Sequence, residues 1–355
     1  MLNKEIKYAY SDISIMPAVT SPIRSRSECN PYYEDDDYLP LFTAPMNSVV
    51  GEKSFKKYED RKIHAILPRT VDLKTRLNNK DGWSAFSLGE FETYFVKNPD
   101  LPECRQALID IANGHMESMI TMARISKDKW KNRLLIMVGN IAHPETYDII
   151  DRAGIDFVRV GIGSGRGCIT SSNTSVHYPM ASLIDEIRPR KRRCKVVADG
   201  GIRGYNDIIK ALALGADYIM IGSVFAKMLE SEGPLLNEFK QKHLTWKEND
   251  EFSKYEDGKF WEYYIGGWSE VKLYKEFYGM ASKKGQVAMN GEKKTTSEGL
   301  ITTLPVEYTM DAWVENFIDY LKSAMSYTGH DTLEDFVEMT DTVILSPGAS
   351  GSINK

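Results

Sequence analysis

One short stretch of the chain gathers the groups best suited to chemistry. In FVRVGIGSGRGCIT, residues 157–170, Phe157, Val158 and Val160 read as a buried strand, and Gly161, Gly163, Gly165 and Gly167 follow before Cys168. Glycine removes side chains, so a ligand can approach backbone and thiol closely. A thiol on a Gly-rich loop just past a strand end is where an α/β enzyme places a nucleophile. Read alone, Cys168 is equally a small apolar filler, since free cysteine is often buried and inert. Two more glycine-rich loops follow later apolar runs: Asp199-Gly200-Gly201-Ile202-Arg203-Gly204 and Gly222-Ser223. Backbone N–H groups in such loops can cradle a phosphate, and Asp199 beside them suits ribose hydroxyls, because a carboxylate cannot bind phosphate directly. The plain alternative is a pair of ordinary turns.

These loops need a scaffold, and the chain supplies a repeating one. Short apolar runs alternate with polar turns and amphipathic stretches, the pattern of a parallel sheet covered by helices. Candidate strands fall at 39–43, 63–67, 83–86, 107–111, 134–138, 157–160, 195–198 and 218–221. Helix-like segments follow, such as ETYDIIDRAG and YNDIIKALALGA, the second with Ile208, Ile209, Leu212 and Leu214 at roughly helical spacing and Gly215 as its cap. Eight such units predict an α/β TIM barrel, a single domain over 1–345, whose loops after the strands form the active site. Residues 225–270, rich in charge, Trp and Tyr, break the repeat and read as an excursion after strand eight, a helix and a hairpin. Residues 283–304 are polar and read as a mobile flap. Helices are expected around Trp313, Phe317, Ile318 and Leu321 and over 333–337, and 346–355 reads as a flexible tail.

Composition narrows the function classes. The 355 residues are 42% hydrophobic and 27% charged, with a net charge of −5. That balance argues against nucleic acid or an anionic membrane as the main partner. The basic run 188–195 (RPRKRRCK) is the local exception and reads as a solvated helix end or loop. Cys29, Cys104, Cys168 and Cys194 are widely spaced with no CxxC, so neither a metal framework nor a disulfide scaffold is expected, and a reducing, cytoplasmic setting fits. No apolar run approaches the length of a membrane span, and the N-terminus lacks a signal-peptide core.

In order and spacing, VGIGSGRGCIT, VVADGGIRG, YIMIGS and FYGMAS resemble the inosine monophosphate dehydrogenase / guanosine monophosphate reductase family. So do Tyr10-Ser11-Asp12-Ile13, Ser25-Arg26-Ser27-Glu28, Ala44-Pro45-Met46, Asp110-Ile111-Ala112-Asn113-Gly114 and Val138-Gly139-Asn140. The likeness runs over roughly 8–340, interrupted at 225–270. It implies a TIM barrel in which Cys168 attacks C2 of a purine nucleotide. The dehydrogenases usually carry a regulatory domain after strand two, for which 67–83 has no room. They also carry an Arg-Tyr pair in the flap, and no arginine or tyrosine lies between Met280 and Leu304. Thr296-Ser297-Glu298-Gly299 and Phe277-Tyr278-Gly279-Met280 are closer to the reductases.

The resemblance therefore implies reductive deamination of GMP, or a related 2-amino purine nucleotide, to IMP and ammonia through a covalent Cys168 thioimidate. The reductant is NADPH, with NADH as the other option. Catalytic roles fall to Cys168, Thr170, Glu298 and Asp110. Nucleotide contacts fall to Met46, Gly165, Arg166, Asp199, Gly201, Gly222, Ser223, Gly279, Met280, Ser297 and Gly299. The cofactor side falls to Arg69, Asp110, Asn113 and Gly114. A homotetramer is implied, no resident metal is, and a monovalent cation beside the 163–168 loop is compatible without being required. Arg166 stands where both branches usually have a phosphate-binding serine, and it can pair with phosphate bidentately or turn to solvent. Asn47-Ser48 replaces the usual Asp-Thr, and His177 stands where a small residue is usual. Two other readings stay open: a dehydrogenase lacking the regulatory insert, converting IMP to XMP with NAD, and a purine-nucleotide binder without turnover.

Overall fold

The computed structural model describes residues 4–166, 169–191, 193–238, 253–256, 259–264, 267–292, 296–297 and 299–353. Eight parallel strands form one sheet: β1 (Leu41–Thr43), β2 (Ile66–Leu67), β3 (Trp83–Phe86), β4 (Gln106–Ile109), β5 (Leu135–Ile141), β6 (Phe157–Val160), β7 (Lys195–Asp199) and β8 (Tyr218–Ile221). β1 pairs with β8 in parallel register. On its other side β1 meets the residue that leads into β2: Thr43 N donates to His64 O at 2.9 Å and His64 N to Leu41 O at 3.1 Å. The sheet thereby closes on itself as a TIM barrel. Helices follow the strands in turn: α1 (Phe55–Glu59), α2 (Leu73–Leu77), α3 (Leu88–Phe91), α4 (Glu117–Trp130), α5 (Pro144–Arg152), α6 (Met180–Ile187), α7 (Tyr205–Ala213) and α8 (Met310–Thr328).

All eight sequence-predicted strands are present, shifted by a few residues at their ends. Local chemistry explains the helix boundaries. The His143 side chain accepts from Glu145 N at the start of α5, with Pro144 in the first turn, where its missing N–H costs nothing. α7 is capped by Leu214, and Gly215 follows at φ +107, a conformation that L side chains avoid. α8 starts with the Thr309 hydroxyl accepting from Ala312 N and ends at Gly329 with φ +80. Its buried Trp313, Phe317, Leu321 and Met325 recur every four residues, one face of a helix laid on the barrel.

Inside the barrel the period-two alternation of strands builds layers. Phe42, Trp83, Phe157 and Tyr218 meet ring to ring, with Trp83–Phe157 centroids 5.1 Å apart and Phe42–Tyr218 5.2 Å apart. Below them His64 stacks on Tyr38, and its Nε2 donates to Asp36 Oδ2 at 2.9 Å. Two residues further along the same strands stand Ala44, Arg159 and Met220, one layer above these rings. The aromatic layer is therefore the floor on which the mouth of the barrel rests.

Outside the barrel several segments differ from the sequence expectation. Within the described part of 225–270 there is no α-helix. β9 (Ser253–Glu256), β10 (Lys259–Tyr264) and β11 (Gly267–Val271) form an antiparallel meander. Alternation decides this: Tyr255, Phe260 and Val271 share one face and pack with Leu229 and Leu273 in a small second core, while Lys254, Trp261 and Glu270 share the other. The stretch 283–304, read as a flap, contains a helix, Lys283–Asn290, capped by Ser282, which is compatible with that reading. It then enters β13 (Ile301–Pro305), which pairs with β12 (Tyr274–Tyr278). The tail read as flexible is helical over Pro347–Ile353, and the Ser350 hydroxyl donates to Ser11 O at 2.6 Å. The basic run stands at the end of α6, as expected, with Arg193 and Lys195 exposed, while Arg188, Arg190 and Lys191 are tied to acceptors. Arg188 bonds the carbonyls of Ala213, Thr340 and Glu338, Arg190 pairs with Asp148, and Lys191 pairs with Asp217. Among the described residues no helix is long and apolar enough to cross a membrane.

Lys275 on β12 joins the excursion to the strand that enters the mouth. Its ammonium is buried and donates to Ser231 O at 2.7 Å and Gly233 O at 3.0 Å. Burial lowers its pKa from 10.5 to about 8. Between those values the unfolded chain binds more protons than the folded one, so stability rises with pH across this window. Chemical denaturation of the wild type and of Lys275→Met from pH 7.5 to 10.5 is expected to show this rise in the wild type alone.

Candidate active site

The mouth is built where the strands end. Ala44 follows β1, Arg69 follows β2, Asp110 follows β4, Asn140 lies on β5, and 161–166 follow β6. Asp199 ends β7 and Gly222 follows β8. Of these, Ala44, Asp110, Gly165, Arg166, Asp199 and Gly222 line a cavity of about 240 Å³. Of the sequence-predicted residues, Met46, Asp110, Gly165, Arg166, Asp199, Gly201, Gly222, Ser223, Gly279, Met280 and Gly299 line it. The segment Phe277 to Ala281 reaches the cavity because β12 runs straight into it, and Ser48 donates its hydroxyl to Tyr278 O at 3.4 Å beneath.

Glycine is required at two of these junctions. A Cβ on Gly161 would lie 2.2 Å from Asp199 O, so only glycine lets the β6 loop cross the end of β7. A Cβ on Gly114 would lie 2.6 Å from Asn140 O, against which the Gly114 amide donates at 2.8 Å.

Arg159 is the functional residue that the sequence reading passed over, because it was read as part of an apolar strand. The signal was its parity: as the second residue after Phe157 it must face the same way as that ring. It is only 3% exposed and sits between two carboxylates. Nη2 donates to Asp110 Oδ1 at 2.8 Å, and Nη1 lies 3.8 Å from Asp199 Oδ2. Asn140 Nδ2 donates to the same Asp199 oxygen at 2.7 Å and to Gly161 O at 2.9 Å. Burial pushes the Asp199 carboxyl up from the usual carboxylate range, opposed by Arg159 and the Asn140 hydrogen bond. The result is a carboxylate held in place at the cavity wall by groups already inside the protein.

The remaining candidates are placed less centrally. Arg69 Nη1 donates to Asp110 O at 3.3 Å, next to the cavity but not on its wall. Asn113 is exposed and accepts from His115 N at 3.2 Å. Thr170 opens the short helix Thr170–Thr174, and Ser297 donates to Gly299 O at 3.0 Å. Gly201 lines the cavity, but its amide donates to Ser164 O at 2.9 Å, so that donor is engaged within the protein. Arg166 is exposed at the rim. His177 Nδ1 donates to Ile162 O at 3.0 Å and is not on this cavity. Cys168 and Glu298 lie outside the described residues. Asn47 Oδ1 and Thr70 Oγ1, following β1 and β2, are buried with no hydrogen-bond partner among the described residues.

The IMP dehydrogenase / GMP reductase domain family matches residues 102–246 of the chain. GMP reductase of Lactobacillus johnsonii (strain CNCM I-12250 / La1 / NCC 533) is 30% identical over 355 residues, 95% of this chain and 94% of the relative. The chain belongs to this family. GMP reductase of Bacillus subtilis (strain 168) is 29% identical over 355 residues, covering 95% of this chain and 96% of the relative. That of Streptococcus agalactiae serotype V (strain ATCC BAA-611 / 2603 V/R) is 29% identical over 360 residues, 97% of each. As a member of this family the chain is an oxidoreductase. Between β2 and β3 it has only α2 and its turns.

Removing the guanidinium strands two carboxylates in the barrel mouth. Arg159→Met is expected to lower unfolding stability by about 3–5 kcal/mol. Arg159→Lys, which keeps the charge but not the fork, should lose less. Urea denaturation of the three proteins checks the order; equal stability of Arg159→Met and wild type would contradict it.

Proposed function

We propose that the chain is a GMP-reductase-type enzyme that converts GMP to IMP and ammonia at the expense of NADPH. The observation that carries this reading is the cavity at the barrel mouth. It gathers residues from the β1, β6, β7 and β8 loops and from 277–281, the positions that the family likeness assigns to the nucleotide. The naming of relatives along nearly the whole chain as GMP reductases supports the same reading.

In this reading the purine lies between Met46, Met280 and Phe277, the ribose hydroxyls donate to Asp199, and the phosphate meets Gly222, Ser223 and the Arg166 guanidinium. The Cys168 thiolate adds to C2, and the exocyclic amine leaves as ammonia after protonation by Glu298 relayed through the Thr170 hydroxyl. Carbon 2 is then a thioimidate on Cys168. When bound, the reduced nicotinamide supplies the hydride that C2 takes up. The thiolate then departs as IMP forms, and Cys168 is regenerated for the next turn. The balance is GMP + NADPH + 2 H⁺ → IMP + NADP⁺ + NH₄⁺.

The residues on the β2–β4 side fit such a cofactor. Thr70 Oγ1 is a buried hydroxyl with no partner among the described residues, which costs free energy unless something supplies one. Arg69, Asp110, Asn113 and Gly114 would hold the cofactor there. Arg159 holds the Asp110 side chain in place through its hydrogen bond to Oδ1, so that Asp110 can orient a hydroxyl or an amide of the cofactor.

The thiols separate this reading from inert alternatives. Cys29, Cys104 and Cys194 are buried, and burial pushes all three up, Cys104 to about 11. Thiolate is the reactive form. Iodoacetamide at pH 7.5 is therefore expected to label one thiol, to stop NADPH oxidation, and to be slowed by GMP. Cys168→Ala should take up no label and lose turnover by roughly three orders of magnitude or more. Reduction of NAD by IMP without NADPH oxidation by GMP would replace this reading with the dehydrogenase.

A further inference from the structure

A second cavity, about 690 Å³, adjoins the first. The two share Gly201, and the chain neighbours Gly165 and Ser164 line one each. None of the roles assigned above uses this space. α7 begins at it: Arg203, Gly204 and Asn206 are on its wall. The residue before the helix is Gly204, which has no side chain to cap the first-turn amides, so their partial positive charge is open to a ligand. Tyr10, on the same wall, is 4% exposed, and its hydroxyl has no hydrogen-bond partner among the described residues. The Ser164 hydroxyl, also on this wall, is in the same condition.

The charges facing this space come from every element around it. Arg203 stands on the β7 loop. Lys210 of α7 donates to Tyr10 O at 3.0 Å. Against them stand Asp207, which accepts from Arg203 N at 2.9 Å, and Asp12, which accepts from Ala9 N at 2.8 Å. Asp199 lines the other cavity. His177 adds a ring nitrogen bonded to Ile162 O. Donors therefore predominate: a guanidinium, helix amides and the Tyr10 and Ser164 hydroxyls, which have no partner among the described residues. A cation is disfavoured beside Arg203 and a helix N-terminus. An apolar ligand would leave the hydroxyls unpaired. A compact oxyanion satisfies all of them.

We propose that this cavity binds a phosphoryl group next to the nucleotide. The phosphoryl group is either free inorganic phosphate or the second phosphate of a purine nucleoside diphosphate whose first phosphate lies in the first cavity, across the Gly201 wall that the two share. The proposal rests on the reading of the first cavity as the GMP site only for its neighbour, not for its own donors.

Equilibrium binding of radiolabelled inorganic phosphate to the full chain tests it, with saturating GMP present and absent, alongside titrations with GMP and GDP. The expected result is one phosphate bound per chain beside GMP, or GDP bound about tenfold tighter than GMP and displaced by phosphate. In either case Arg203→Gln should weaken the phosphoryl gain about tenfold and Tyr10→Phe about fivefold, with GMP affinity unchanged. Arg166→Gln should weaken GMP and leave the second phosphate in place. The proposal is overturned if phosphate binds only in competition with GMP and GDP binds no tighter than GMP. It is equally overturned if the phosphoryl gain is indifferent to both Arg203→Gln and Tyr10→Phe while their melting temperatures match the wild type. Should GMP itself fail to bind, phosphate uptake that depends on Arg203 but not Arg166 still supports the second cavity, and its absence overturns it. The GMP reading thus fails separately.

Discussion

Arg159 stands one layer above the aromatic floor of the barrel with a carboxylate on either side, Asp110 at 2.8 Å and Asp199 at 3.8 Å. A charge in this position is tolerable only if it is paired and hydrogen-bonded. The strands therefore have to deliver those carboxylates to one place. β6 supplies the guanidinium, β4 and β7 end in the acids, and β5 contributes Asn140 to hold Asp199. Four consecutive strands of the sheet are locked in register by this one cluster, and three of its members line the cavity. The same arrangement that permits a buried arginine also presents two oriented carboxylates to a ligand.

The architecture was legible because a closed parallel barrel writes itself locally. Each strand is a short apolar run with a polar loop after it, and all eight were visible as such, including the WSAF segment whose Trp83 packs on Phe157. The site was legible wherever loop chemistry announces itself: glycines after β6, β7 and β8 and the FYGM segment converge on one cavity. Arg159 was missed for a physical reason. A strand buried on both faces has no polar side, so its one polar residue looks like noise unless its parity with the interior ring of Phe157 is followed up the strand.

The elements that departed from expectation share another cause. The meander over 253–271 and the helix over 347–353 are set by contacts that composition does not display. The first depends on a small core with Leu229 and Leu273, the second on a hydrogen bond to Ser11 from the far end of the chain. Likewise the basic run 188–195 looked like a solvated patch. In the folded chain Arg188 meets carbonyls of α7 and of the C-terminal segment, and Arg190 and Lys191 meet the carboxylates of Asp148 and Asp217, while Arg193 and Lys195 stay exposed. Charge in sequence is a poor guide to exposure when acceptors arrive from a distance.

The central claim is that the cavity organised by Arg159 holds a purine nucleotide with C2 at Cys168. The most direct measurement is an acid quench during turnover with GMP and NADPH, followed by digestion and mass analysis of the peptides. The account predicts a mass increase equal to GMP less ammonia on the peptide carrying Cys168, absent when either GMP is withheld or Cys168 is replaced by alanine. Turnover at full rate with that peptide unmodified, or with the nucleotide on Cys29, Cys104 or Cys194, would contradict it.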